Sequence, residues 1–164
     1  MKHCILLLFF LCCGFLSFSQ QKQAKKPLSS IAHAGKYTYG RDIEKGRVGL
    51  AYIHAETDST ILFYLDLNRG APSYNMGSIY GRVVIKNGKG IFKASLEGYQ
   101  KACELLFQFT ANKLSIETVS DNDDCGVGFG VLADGIFKRT TTINPAYFLD
   151  ATGAKRYFKE LDLR

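Results

Sequence analysis

Apolar and polar side chains alternate along much of the chain after residue 35. The clearest case is the segment ACELLFQFT, which places four apolar side chains on one face: Cys103, Leu105, Phe107 and Phe109. A period of two places alternate side chains on opposite faces of a β-strand. The segment STILFYLDLN shows the same pattern, with Ile61, Phe63, Leu65 and Leu67 on one face. The alternation therefore predicts strands with one buried face.

Eight such segments are separated by Gly, Asn and Asp, which are typical turn residues. The predicted strands cover residues 36–40, 47–54, 59–68, 77–87, 90–96, 102–110, 113–119 and 133–140. Asn87-Gly88 is typical of a two-residue hairpin turn. We predict an all-β fold, an antiparallel up-and-down meander of about eight strands that forms a closed or partly closed barrel, with a two-sheet sandwich as the alternative. Beyond these strands the alternation is lost, and Pro145 indicates a short C-terminal helical segment.

The first residues have the layout of a secretory signal peptide. Lys2 is followed by an apolar run that ends in Ser17-Phe18-Ser19 before Gln20. A basic start, a short apolar core and small residues before a cleavage site define such signals, and the run is too short to span a bilayer. We predict a signal peptide over 1–19, a flexible polar leader over 20–34 and one domain over 35–164. The mature chain would then be exported, periplasmic or extracellular, with no transmembrane segment.

The net charge of +6 does not indicate a nucleic-acid-binding protein. Basic side chains concentrate in the leader and near the C-terminus, whereas acidic and basic residues nearly balance between residues 36 and 150. No nucleic-acid-binding motif is present. We therefore expect no nucleic-acid partner.

Export also restricts the chemistry of the cysteines. Cleavage near Ser19-Gln20 removes three of the five cysteines and leaves Cys103 and Cys125. Two cysteines in an oxidising compartment usually pair, and a hairpin between them would bring them together. We predict a Cys103–Cys125 disulfide.

The segment 121–135, DNDDCGVGFGVLADG, admits other interpretations. It matches only part of a calcium-binding loop, because the twelfth position is Leu132 instead of a glutamate. Gly128 begins a G-x-G-x-x-A match to a dinucleotide loop, but the βαβ setting that such a loop needs is not indicated. We interpret the acidic residues as a solvated loop and the alternating glycines as a thin strand, and we predict no metal and no cofactor.

The sequences CELLFQF, KLSIET and CGVGFGVLADGIFKR together resemble a pattern of small secreted bacterial β-barrel proteins. In these proteins a cysteine opens a Phe-rich strand, a second cysteine precedes Gly-x-Gly, and a strand with a Gly-aromatic-basic pattern closes the domain. The resemblance implies a fold, but no activity, because most such proteins are uncharacterised. Some exported barrels of similar size inhibit lysozyme by inserting a loop, but the loop motifs of those inhibitors are not evident in this chain.

The most promising binding residues lie in and after the segment 68–77, NRGAPSYNMG. Arginine and tyrosine are enriched at binding hot spots, and loops on a rigid barrel often carry function. We predict a binding patch formed by Arg69, Tyr74, Asn75, Tyr80 and Arg82, although an ordinary hairpin loop would also explain the segment.

No catalytic set can be assembled around His54, so we predict no enzymatic activity. The expected function is an exported binding protein that recognises a protein or envelope component through its loops. Two alternatives remain. One is a lipocalin-like carrier with a cavity lined by Phe63, Phe92, Phe107 and Phe109, and the other is an inhibitor of a cell-wall hydrolase.

Overall fold

The computed structural model describes residues 29–95, 101–120 and 125–163. The predicted signal peptide, most of the predicted leader and the segment 121–124, which carries three aspartates, lie outside these ranges. No helix among the described residues is long and apolar enough to cross a membrane.

An eight-stranded antiparallel sheet forms most of the described structure, as the alternation predicted. Its strands, in chain order, are β1 (Gly35–Tyr39), β2 (Val48–Ala55), β3 (Thr60–Asn68), β4 (Met76–Val84), β5 (Lys89–Ala94), β6 (Cys103–Phe109), β7 (Lys113–Thr118) and β8 (Gly135–Thr141). The order within the sheet is β4-β3-β2-β1-β8-β7-β6-β5, so every strand lies next to its neighbours in the chain except at one seam. The predicted up-and-down meander is therefore confirmed, and it curls into a nearly closed barrel.

The seam lies between β4 and β5, which are joined by the tight turn at Asn87 and Gly88. Both residues have positive φ, 53° and 76°, as a type I′ turn requires. A single isolated bridge between Lys86 and Lys89 joins the two sides next to this turn, and no ladder continues along β4 and β5. Backbone pairing across the seam is therefore limited to this corner, while the ring of Phe92 on β5 lies against Gly81 of β4.

Aromatic side chains fill the interior that the alternation predicted. Phe63 on β3 contacts Phe92 on β5 and Phe107 on β6, with ring centroids 4.9 Å and 4.8 Å apart. Contacts across the interior from opposite halves of the sheet hold the barrel together through burial of apolar surface. This part of the interior is occupied by side chains.

The C-terminal segment differs from the prediction, because Pro145 does not begin a helix. The segment forms a hairpin of β9 (Tyr147–Leu149) and β10 (Lys155–Tyr157), followed by the single 3-10 turn Phe158–Glu160. The hairpin turn is set by Asp150, whose side chain accepts hydrogen bonds from the backbone N–H groups of Thr152 and Ala154. Such a local turn competes successfully with a helix.

This hairpin covers the outer face of β3. Phe148 stacks on Tyr64 with ring centroids 3.9 Å apart, and Phe158 packs in the same cluster with Leu62. Because one face of β3 packs into the barrel and the other lies under the hairpin, five consecutive residues of β3 are buried, Ile61–Leu65.

The last residues of the predicted leader are also packed against the barrel. Ser30–His33 form a 3-10 turn in which His33 is buried and stacks on Phe109, with ring centroids 4.5 Å apart. The guanidinium of Arg139 donates hydrogen bonds to the carbonyl oxygens of Ala32 and Ala34. The folded domain therefore includes residues 29–34.

Candidate binding surface at one end of the barrel

The predicted disulfide fixes the start of an irregular loop at one end of the barrel. Cys103 is the first residue of β6, and it is bonded to Cys125 with Cα atoms 5.1 Å apart. Both cysteines are buried. Residues 125–134, which we call the Cys125 loop, contain no strand, so the thin strand predicted from their alternating glycines is wrong.

Besides Cys125, three side chains of the Cys125 loop point into the core, namely Val127, Val131 and Ala133. The backbone N–H of Val131 donates a hydrogen bond to the carbonyl oxygen of Gly128 over 3.1 Å. The loop is therefore held by buried apolar contacts and by its own turn, in addition to the disulfide.

The Cys125 loop also packs against the connection between β3 and β4. The side-chain amide of Asn75 donates a hydrogen bond to the carbonyl oxygen of Phe129 over 2.8 Å. A Cβ atom on Gly77 would lie only 1.7 Å from the carbonyl oxygen of Val127, so only glycine allows this close approach. These contacts fix the two loops relative to each other.

The centre of the Cys125 loop presents an aromatic side chain to solvent. Phe129 is 89% exposed, although its neighbours Val127 and Val131 are buried. The same end of the barrel carries three further exposed large side chains. We call these four residues the aromatic tip: Tyr74, Met76, Phe129 and Leu132.

Tyr74 is held in an unusual conformation. Its φ is +54°, in the left-handed region that bulky residues rarely adopt. Its N–H donates a hydrogen bond to the carbonyl oxygen of Gly70 over 2.9 Å, and its hydroxyl donates one to Glu44 over 2.6 Å. The hydrogen bond to Glu44 raises the pKa of Tyr74. Strained residues of this kind cluster at functional sites, where the surrounding structure holds them in place.

The structure divides the predicted binding patch into two parts. Arg69, Tyr74 and Asn75 lie at the aromatic tip, where the guanidinium of Arg69 approaches Gly130. Tyr80 and Arg82 lie further along the outer face of β4. Sequence reasoning missed Phe129, although the flanking glycines of GFG indicate a residue outside regular structure.

Arg82 already has a partner on the neighbouring β2–β3 connection. Its guanidinium forms two hydrogen bonds with the carboxylate of Glu56, at 2.8 Å from Nε and 2.7 Å from a terminal nitrogen. This bidentate ion pair is exposed, and such pairs contribute little to stability. Its geometry nevertheless orients Arg82 toward Glu56 and away from the tip.

Next to the tip, a groove runs over the outer face of β1–β3. It has a volume of about 450 Å³, and its lining residues include Leu50, Asp66, Asn68 and Met76. Met76 belongs to both the groove and the tip. Burial raises the pKa of the Asp66 carboxyl, since desolvation disfavours its charged form.

No known family matches. Searches of protein-family models, curated proteins and solved structures return no significant similarity for this chain. The candidate function therefore depends on the residues and their geometry.

The described residues contain no group of three or more His, Cys, Asp or Glu side chains that could hold a metal ion. The side chain of His54 lies under the C-terminal segment, with Nδ1 2.8 Å from the carbonyl oxygen of Pro145. Its ring stacks on Phe158 at a centroid distance of 5.1 Å. These contacts give His54 a role in packing the C-terminal segment onto the barrel.

Proposed function

We propose that this chain is an exported binding protein that recognises a protein or envelope component through the aromatic tip. The observation that carries the proposal is the exposure of Phe129 on a loop that is otherwise held firmly to the barrel. Aromatic anchors that enter a pocket of the partner dominate many interfaces. Burying one phenylalanine side chain contributes roughly 1.5–3 kcal/mol.

The way the tip is held favours binding. Association is weakened by the entropy lost when flexible loops become ordered, so a loop that is already ordered loses less. The disulfide, the Asn75 hydrogen bond and the buried valines order the Cys125 loop before any partner arrives. The disulfide also supports export, because such bonds persist in oxidising compartments.

The packing of the interior favours this function over that of a carrier. The ring of Phe63 contacts those of Phe92 and Phe107 where a carrier would hold its ligand. An eight-stranded barrel whose interior is filled by side chains has little room for a small molecule. Recognition on the outside of the barrel requires no such space.

The test is capture of a partner from an envelope extract by the immobilised mature protein. Phe129→Ser should lose the captured partner, while the melting temperature stays near that of the wild type because Phe129 buries little surface. Ile143→Ser is the matched control, since Ile143 is 76% exposed and lies outside the tip. Undiminished capture by folded Phe129→Ser would refute the proposal.

The captured partner also decides between two forms of the function. If it is a cell-wall hydrolase, its activity can be measured with and without the mature protein. A loss of hydrolase activity that requires Phe129 would identify the chain as an inhibitor. Unchanged activity would identify it as a binding protein without an inhibitory role.

A further inference from the structure

The groove beside the aromatic tip, which we call the Asp66 groove, has one charged group at an unusual position. Asp66 lies on the outer face of β3, opposite Leu50 on β2 and Ser78 on β4. The walls near it are mainly apolar, with Ile43 and Met76 completing the side nearest the loops. An anionic group therefore sits within an apolar surface.

Asp66 differs from the other carboxylates of the described ranges. It is the one partly buried carboxylate among these residues that has no hydrogen bond or ion pair. Comparable side chains on the outer surface of the barrel have cationic partners, as in the pairs Arg82–Glu56, Lys93–Glu104 and Lys45–Asp42.

The cationic side chain that lines the groove does not pair with Asp66. Arg41 lines the groove from the β1–β2 connection, but no ion pair joins it to Asp66. A partly desolvated carboxylate without a partner is unfavourable, and the raised pKa of Asp66 reflects this cost. A cation that entered the groove would supply the missing partner.

We propose that the Asp66 groove binds a basic side chain, lysine or arginine, of the partner that docks on the aromatic tip. The ammonium or guanidinium group pairs with Asp66, and the methylene groups lie against Leu50 and Met76. Basic side chains combine an apolar stem with a charged end, which suits a groove of this composition. The part of this inference that concerns the partner rests on the proposed function.

The position of the groove supports simultaneous contact with the tip. Asp66 is two residues before Asn68, which pairs with Met76 at the start of β4. Two residues of a strand span roughly 7 Å. The carbonyl oxygen of Met76 in turn lies against Gly128, next to Phe129. One segment of a partner can therefore place a basic side chain on Asp66 and an apolar pocket over Phe129.

The groove can be tested without knowing the partner. The probes are N-acetyl-lysine amide, N-acetyl-arginine amide and the neutral isostere N-acetyl-norleucine amide, titrated into isotopically labelled mature protein and followed by NMR. The cationic probes should shift the resonances of groove residues, and the norleucine probe should not. Absence of shifts with both cationic probes, or equal shifts with norleucine, would overturn the inference.

Two variants test whether the cationic probes bind at Asp66. Asp66→Asn removes the charge with little change of shape and should weaken binding of the cationic probes about tenfold or more, in line with the loss of a charge-assisted hydrogen bond. Glu117→Gln is the matched control, since Glu117 is an exposed carboxylate on β7, outside the groove. Binding of a cationic probe should also lower the pKa of Asp66, which the carboxyl carbon resonance reports. Equal affinity of wild type and Asp66→Asn would contradict the assignment.

The two proposals fail separately. Phe129→Ser should leave probe binding unchanged, because Phe129 does not line the groove. If the probes fail to bind but Phe129→Ser still abolishes capture of the partner, the proposal for the aromatic tip is supported and the proposal for the Asp66 groove is refuted. If the probes bind at Asp66 but Phe129→Ser captures the partner normally, the proposal for the Asp66 groove is supported and the proposal for the aromatic tip is refuted.

Discussion

Replacing both Cys103 and Cys125 by alanine should destabilise the domain by about 3 kcal/mol. The two residues are 22 positions apart in the sequence, so the disulfide closes a loop of that length in the unfolded chain. In the chain-entropy model, the bond lowers the entropy of the unfolded state by an amount that depends on the logarithm of this length. Alanine is chosen because both positions are buried and a serine hydroxyl there would lack a partner.

Urea unfolding at pH 7 measures this change. The midpoint should fall, and the double variant should unfold at the same urea concentration as the wild type treated with a reducing agent. A loss of about 3 kcal/mol corresponds to a melting temperature lower by roughly 6–12 °C for a domain of this size. Equal midpoints for the oxidised wild type and the double variant would refute the reasoning, as would free thiols in non-reduced protein that consists of residues 20–164.

Two further substitutions test the packing of the tip and of the N-terminal turn. Gly77→Ala should lower the free energy of unfolding in urea by about 1–3 kcal/mol, because the new Cβ would overlap the carbonyl oxygen of Val127. It should also shift the NMR resonances of the Cys125 loop. Unchanged stability and unchanged spectra would contradict this contact. Burial, with a smaller contribution from Arg139, lowers the pKa of His33 in the folded protein. As the pH falls, the unfolded state therefore takes up the proton before the folded state does. The free energy of unfolding should decrease below about pH 6.5, by at most about 1.4 kcal/mol per pH unit. His33→Phe should flatten this dependence between pH 7.5 and 5.5, and an identical pH profile for wild type and variant would count against it.

The strands could be predicted because their cause is local. A strand with one buried face alternates apolar and polar residues, as β6 does throughout Cys103–Phe109. The turn at Asn87 and Gly88 was equally local, since two positive φ values restrict the residues that fit. Alternation, however, indicates only which face of a strand is buried inside the barrel.

The outer cover of β3 depends on contacts that are distant in sequence. Leu62 and Tyr64 lie on the outer face of β3, which was not predicted to be buried, and they are buried under Phe148 and Phe158. Apolar residues on both faces of β3 were the available signal, because a strand covered on both sides reads as a continuous apolar run. The packing of His33 on Phe109 could not be predicted for the same reason, since nothing in the N-terminal sequence indicates a partner in β6.

The Cys125 loop shows a different limit of sequence reasoning. The alternation of Val127, Phe129 and Val131 with glycines is compatible with a strand, in which all three side chains would share one face. The chain instead departs from strand geometry between the valines, so that they point inward and Phe129 points outward. Glycine permits several backbone conformations, and the surrounding contacts select among them.

Exposure alone would not distinguish Phe129 from Ile143, since single apolar side chains are common on protein surfaces. Phe129 differs because three contacts hold the loop that carries it. They are the disulfide Cys103–Cys125, the hydrogen bond from Asn75 to the carbonyl oxygen of Phe129, and the close packing of Gly77 against Val127. None of these contacts buries the Phe129 ring, so they fix its position without using it for stability. This combination, a side chain that is held in place but contributes little to folding, supports the proposed contact with a partner. The comparison of Phe129→Ser with Ile143→Ser separates these two kinds of exposed residue.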